Sequence, residues 1–248
     1  MRGILFLAIL LAGCASQPEQ LDTEQGKRSS AAVHAELGAG YYGRGQYAVA
    51  LAELKEAVKS DPSYAPAYNV LGLVYMTLRD NDAAEQNFEH ALSINPKDSD
   101  INNNYGWFLC QTQREKKSIE HFLAALANPL YTTPEMAYLN AGICSERIGE
   151  DRRAERYYQQ ALQIQPRLAQ ANLGLARINF RAGNYGLARS YLSSHMQMAE
   201  PSPQSLWLGI RIERRLGGSG VEADYGAQLK SRFPESAEAH DLLNGKFE

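Results

Sequence analysis

The chain has 248 residues, of which 44% are hydrophobic and 21% charged, with a net charge of −3 and a sequence pI near 6.0. That is enough apolar material for the core of one or two domains. The slightly acidic balance excludes the cationic excess that draws a domain to nucleic acid, and no nucleic-acid partner is expected.

The chain opens MRGILFLAILLAGCASQ. Ile4 to Leu11 is apolar throughout and only Arg2 precedes it with charge. A spanning helix needs about 20 apolar residues, so this run is too short to cross a membrane. It has the length of a secretory signal's apolar region, about 7–15 residues. Leu11-Ala12-Gly13-Cys14 resembles the bacterial lipobox. The small residues let a peptidase approach the backbone, and a Cys supplies a nucleophilic thiolate at the cleavage point. The resemblance implies a signal peptide over 1–13, a diacylglycerol on the Cys14 sulfur and acylation of the new amino terminus. No cofactor beyond this covalent lipid is expected. One acyl chain binds a membrane only marginally, at about 0.8 kcal/mol per buried methylene, whereas three would anchor the protein durably. Ala15 and Ser16 follow, and the absence of Asp there implies the outer membrane of a Gram-negative cell.

Residues 17–30, QPEQLDTEQGKRSS, are polar and non-periodic, and are expected to form with Cys14 a flexible tether over 14–30. Fully extended, it would reach roughly 45–50 Å. The remainder, 31–248, repeats itself. LGAGYYGRGQYAVALAELKEAVKSDP, from Leu37 to Pro62, is followed after 34 residues by LGLVYMTLRDNDAAEQNFEHALSINP, from Leu71 to Pro96. Tyr41 and Tyr75, Ala50 and Ala84, Leu54 and Phe88, Ala57 and Ala91 keep the same interval. This spacing resembles the tetratricopeptide repeat. Gly38, Gly72, Ala50 and Ala84 are expected where helix A meets helix B closely; Pro62 and Pro96 end helix B because proline lacks an N–H donor and restricts the residue before it.

The phase places repeats near 31–64, 65–98, 99–134, 135–168, 169–202 and 203–236, then a capping helix over Ala237 to Leu243. The third carries two extra residues in LANPLYTTP, the fifth has His195 where Ala is usual, and the sixth is degenerate. End repeats are commonly atypical because one face meets water. The expected fold is all-α, a right-handed superhelical solenoid of about six tetratricopeptide repeats.

Such stacks bind peptides or proteins along the surface that the A helices line. Candidates there are Asn69, Leu73, Asn103, Asn104, Trp107, Leu139, Asn140, Arg177 and Trp207, with Asn172, Met76 and Phe180 beside them and Arg181, Arg211, Arg214 and Arg215 forming a basic end. An Asn side chain both donates and accepts, so it can pair with an extended peptide backbone; the competing reading is that some Asn residues cap helices and that Trp107 and Phe180 belong to the core. Cys110 and Cys144 lie on successive A helices. Export favours a disulfide between them, while two buried free thiols remain the alternative. No metal-binding His spacing, nucleophile elbow or phosphate loop is present, so no catalytic or metal residue, no enzyme activity and no small-molecule substrate are expected.

NNNYGWFLCQ, Asn102 to Gln111, and YLNAGICSERIG, Tyr138 to Gly149, resemble segments of the type IV pilus biogenesis and stability lipoproteins, the PilF/PilW family. The resemblance covers the whole mature chain. It implies an outer-membrane pilotin facing the periplasm, which helps the pilus secretin reach the outer membrane and form its multimeric ring, and so supports twitching. The alternative is a tetratricopeptide-repeat lipoprotein scaffold for peptidoglycan synthesis or outer-membrane protein assembly.

Overall fold

The computed structural model describes residues 18–247. Among them are thirteen α-helices and no strand. They fall into two compact units, one ending at Ile94 and the other beginning at Asn95. The first contains α1 (Pro18–Gly43), α2 (Tyr47–Ser60), α3 (Ala65–Thr77) and α4 (Asn81–Ile94). The second contains α5 (Ser99–Gln111), α6 (Glu115–Leu126), α7 (Pro134–Arg147), α8 (Asp151–Ile164), α9 (Ala169–Arg181) and α10 (Tyr185–Met196), followed by α11 (Pro203–Leu216), α12 (Ser219–Arg232) and α13 (Ala237–Leu243). Odd-numbered and even-numbered helices pair as A–B hairpins, and α13 packs on α11 and α12. The architecture is all-α, built of tandem tetratricopeptide-type hairpins.

The B helices are amphipathic in one recurrent way. Ala50, Leu54 and Ala57 are the buried residues of α2; Ala84, Phe88 and Ala91 those of α4; Ala154, Tyr158 and Ala161 those of α8. The spacing i, i+4, i+7 lines one stripe of a helix, and the opposite face stays polar and wet. The A helices bury more of their circumference, because each is covered by its own B helix and by neighbouring helices. In α5 the buried set includes Ile101, Tyr105, Phe108, Leu109 and Cys110. Small residues on the A helices admit the large residues of the B helices. A Cβ added at Gly72 would stand 2.7 Å from the Phe88 ring, at Gly106 2.8 Å from Phe122, and at Gly142 2.7 Å from Tyr158.

The turn from A to B reaches the left-handed region at one recurring place. Gly45, Gly149, Gly183 and Gly217 occupy it with φ between 73° and 80°, whereas Arg79 and Gln113 adopt φ 63° there without glycine's freedom. The insertion in the third repeat is tied down by side chains. Ser99 Oγ donates to the Ala125 carbonyl at 3.0 Å, Asn128 Oδ1 accepts from Leu130 N at 3.0 Å, and Tyr131 is buried. In the fifth repeat His195 fills the small-residue position; it is buried, with Nδ1 3.0 Å from the Ala169 carbonyl.

One expectation is corrected. Helix α1 starts at Pro18, so residues 18–30 are helical rather than a flexible tether. Proline suits the first helical position, Glu, Gln, Lys and Arg are good helix formers, and the packed turns from Ala31 onward give this stretch a nucleus on which to propagate. Cys14 and the signal segment lie outside the described residues. No helix among the described residues is long and apolar enough to cross a membrane.

Candidate partner-binding face

In the second unit, each A helix presents a stripe of half-exposed side chains at helical spacing. Asn103 and Trp107 on α5, Asn140 and Ile143 with exposed Arg147 on α7, Arg177 and Phe180 on α9, and Trp207 and Arg211 on α11 form it. Side-chain contacts join one stripe to the next. Asn140 Nδ2 donates to Asn103 Oδ1 at 3.1 Å. Arg147 Nη1 donates to the Cys110 carbonyl at 3.0 Å, and its guanidinium lies 5.8 Å from the centre of the Trp107 ring. Beneath these residues Cys110 and Cys144 are joined in a disulfide with Cα atoms 5.9 Å apart. Both cysteines are fully buried, in a cluster with Ile119, Phe122 and Ala141 on which Trp107 and Tyr157 pack.

The middle of the face is an ion-pair network. Glu146 on α7, whose side chain is 11% exposed, accepts Arg177 Nε at 2.9 Å and Arg177 Nη2 at 2.7 Å. It also accepts the Tyr158 hydroxyl at 2.8 Å and Arg181 Nη1 at 3.0 Å, while Arg181 holds Asp151 in a two-pronged grip at 2.9 and 2.7 Å. Burial pushes the Glu146 carboxyl toward its neutral form, but the hydrogen bonds and charge of Arg177, with help from Tyr158 and Arg181, outweigh it and hold the group below its ordinary range. Burial, then the Glu146 carboxylate, pushes the Tyr158 hydroxyl upward, so it stays a donor.

The last part of the face is aromatic and cationic. Trp207 stacks on Phe247 with ring centres 5.5 Å apart, and Arg214 lies 3.4 Å above the Phe247 ring. Arg211 lies 4.5 Å from the centre of the Phe180 ring.

The candidates from sequence separate on this geometry. Asn103, Asn104, Trp107, Asn140, Arg177 and Trp207 are half-exposed on A helices of the second unit. Two candidates there are corrected. Leu139 is 1% exposed and belongs to the core with Tyr158 and Leu175, because the helical period turns it inward between Tyr138 and Asn140. Asn172 is buried, and its Nδ2 donates back to the Leu168 carbonyl at 3.1 Å. In the first unit Leu73 and Met76 are half-exposed on α3, but Asn69 is 8% exposed, too covered to pair with a peptide backbone, and is likewise corrected. Glu146 and Phe247 escaped the sequence reading. A carboxylate beside Arg147 on an A helix was the available signal for the first; nothing in the local pattern announced the second.

Comparison with known proteins adds a family context. The tetratricopeptide repeat family matches residues 36–99, 70–131 and 146–203. The type IV pilus assembly protein PilF of Pseudomonas aeruginosa is 29% identical over 241 residues, covering 96% of each chain. The crystal structure of PilW, described as a widely conserved type IV pilus biogenesis factor, superimposes with a TM-score of 0.79 at 38% identity, covering 86% of this chain and 98% of that one. The structure of Pseudomonas aeruginosa PilF gives a TM-score of 0.84 at 28% identity over 89% of this chain and 100% of that one.

Proposed function

The chain belongs to the tetratricopeptide-repeat family and, with PilF and PilW, to the proteins of type IV pilus biogenesis, and from that premise we propose that it is an outer-membrane lipoprotein pilotin for the pilus secretin. The observation that carries this reading is likeness to PilW over nearly all of that protein at 38% identity. The lipobox-like Leu11-Ala12-Gly13-Cys14 supports the lipid anchor, and the half-exposed Asn, Trp and Arg stripe supports a polypeptide partner.

The mechanism assigns a task to each part. Acyl chains on Cys14 commit the protein to the lipoprotein carrier route and then to the outer membrane, facing the periplasm. The A-helix face holds a segment of a secretin subunit during transit. Asn103 and Asn140 offer donors and acceptors to its backbone, and Trp107 and Trp207 cover apolar side chains. A bound segment leaves fewer unpaired strand edges free to associate before the membrane is reached.

The test is Cys14→Ser, expressed in place of the wild-type chain. The variant is expected to fold, to lose its acyl mass, and to leave the secretin outside the outer-membrane fraction. Normal secretin rings in the outer membrane of that strain would contradict the proposal, and envelope fragility with normal rings would favour a scaffold for wall synthesis or outer-membrane assembly.

A further inference from the structure

Several arginines of the second unit are paired with carboxylates. Arg177 and Arg181 share Glu146 and Asp151, Arg189 grips Glu213 with Nε at 2.8 Å, and Arg232 meets Glu200 at 3.0 Å. Arg211 is in no ion pair among the described residues. Its guanidinium lies over the Phe180 ring, 4.5 Å from the ring centre, and its Nε is buried without any hydrogen-bond partner. Arg215, one turn further along α11, rests 5.8 Å from the centre of the Tyr185 ring and makes no ion pair among the described residues. The nearest acid in sequence, Glu213, is taken by Arg189. Burial, and then the like charge of Arg215, disfavour the charged form of Arg211, so the site as it stands is electrostatically unsatisfied.

The same arginine lines a cleft of about 300 Å³ between α9, α11 and α13, with Phe180, Trp207 and Leu208 as its apolar wall and Gln204 at its rim. Glu238 also borders the cleft but pairs with neither Arg211 nor Arg215. A half-buried cation with a buried, unpartnered Nε and no counter-charge, set beside an aromatic wall, is complementary to a carboxylate followed by an apolar side chain. We infer that this cleft is a subsite for an acidic peptide segment of a partner protein, with an Asp or Glu carboxylate on Arg211 and an adjacent apolar side chain against Trp207. The inference rests on the reading that the A-helix face binds a polypeptide, and it adds which chemistry the C-terminal part of that face selects.

The test uses the purified protein and two blocked hexapeptides. One carries aspartate, phenylalanine, glutamate and leucine between serines; the other has asparagine and glutamine in place of the acids. Binding is followed by titration calorimetry at low and high salt. The acidic peptide is expected to bind at least about tenfold more tightly than its amide counterpart, the size of one charge-assisted hydrogen bond, and to weaken with salt. Arg211→Gln and, separately, Arg215→Gln are expected to lower its affinity, and Arg211→Gln at least about tenfold. Arg152→Gln, at an exposed position on α8, is expected to leave it unchanged. Equal affinity for the two peptides, unchanged binding by Arg211→Gln, or no binding of the acidic peptide to the wild-type protein would overturn the inference. Because the peptide comparison needs only the wild-type protein, a folding defect in a variant does not blunt it. Failure here leaves secretin assembly in cells as a separate readout, so the pilotin proposal stands or falls on its own result.

Discussion

At the scale of single residues, the interior is governed by size and by charge matching. Gly72 shows the first. A Cβ there meets three carbons of the Phe88 ring at 2.7–2.8 Å, and that ring is fully buried and cannot swing aside. Gly72→Ala is therefore expected to cost about 1–3 kcal/mol, the usual range for overpacking, readable as a lower denaturation midpoint with unchanged slope. Gly26→Ala, where nothing lies within 4 Å, is expected to be neutral or mildly stabilising. Glu146 shows the second. Its carboxyl is held below the ordinary Glu range, so its contribution is present above the unfolded-state value of about 4.5 and disappears as pH falls through the lower folded-state value. Glu146→Gln should cost roughly 1–3 kcal/mol at pH 7, toward the lower end because Arg177 and Arg181 are partly solvated. The gap between variant and wild type should close in melts at progressively lower pH; a gap independent of pH would contradict the charged network. The glycine and alanine positions were legible in the sequence because size constraints recur every 34 residues. The Glu146 network was not, because its partners lie on two other helices, α8 and α9, and the pairing depends on rotamers that no local pattern encodes.

At the scale of elements, the helical hairpin is the unit, and the disulfide links two of them. Cys110 on α5 and Cys144 on α7 are separated by 34 residues and joined across neighbouring A helices. Closing a loop of that length is expected to stabilise the native state by about 3–4 kcal/mol on the chain-entropy estimate. Reduction, or the paired change Cys110→Ala with Cys144→Ala, should lower the melting temperature while leaving helix content intact by circular dichroism. A melting temperature that does not respond to reductant would contradict this role. Sequence alone left the pairing open, since it turns on how closely two A helices approach, which only the packed structure fixes. The entry helix exceeded its expectation for a related reason. Residues 18–30 have no apolar stripe of their own, and periodicity therefore reads them as coil; they become helical by continuing the packed turns that start at Ala31.

At the scale of the molecule, the all-α repeat fold and the pilus-biogenesis family were both legible, because a repeat states its architecture several times over in one chain. What was not legible was how the A-helix face divides its work. In the second unit its beginning offers amide groups beside an aromatic, its middle consumes Arg177 and Arg181 internally, and its end leaves Arg211 without a counter-charge. The basic end read from the arginines on the last A helices is thus smaller than their number suggested. The central claim is that this face engages the pilus secretin while lipid on Cys14 holds the protein at the membrane. The most direct measurement places a photo-crosslinking amino acid at Asn103, on the face, and in a second strain at Lys117, exposed on the outer side of α6, and probes each membrane fraction for secretin. The account predicts a secretin adduct from position 103 and none from position 117. Adducts of equal yield from both positions, or no secretin adduct from position 103, would contradict it.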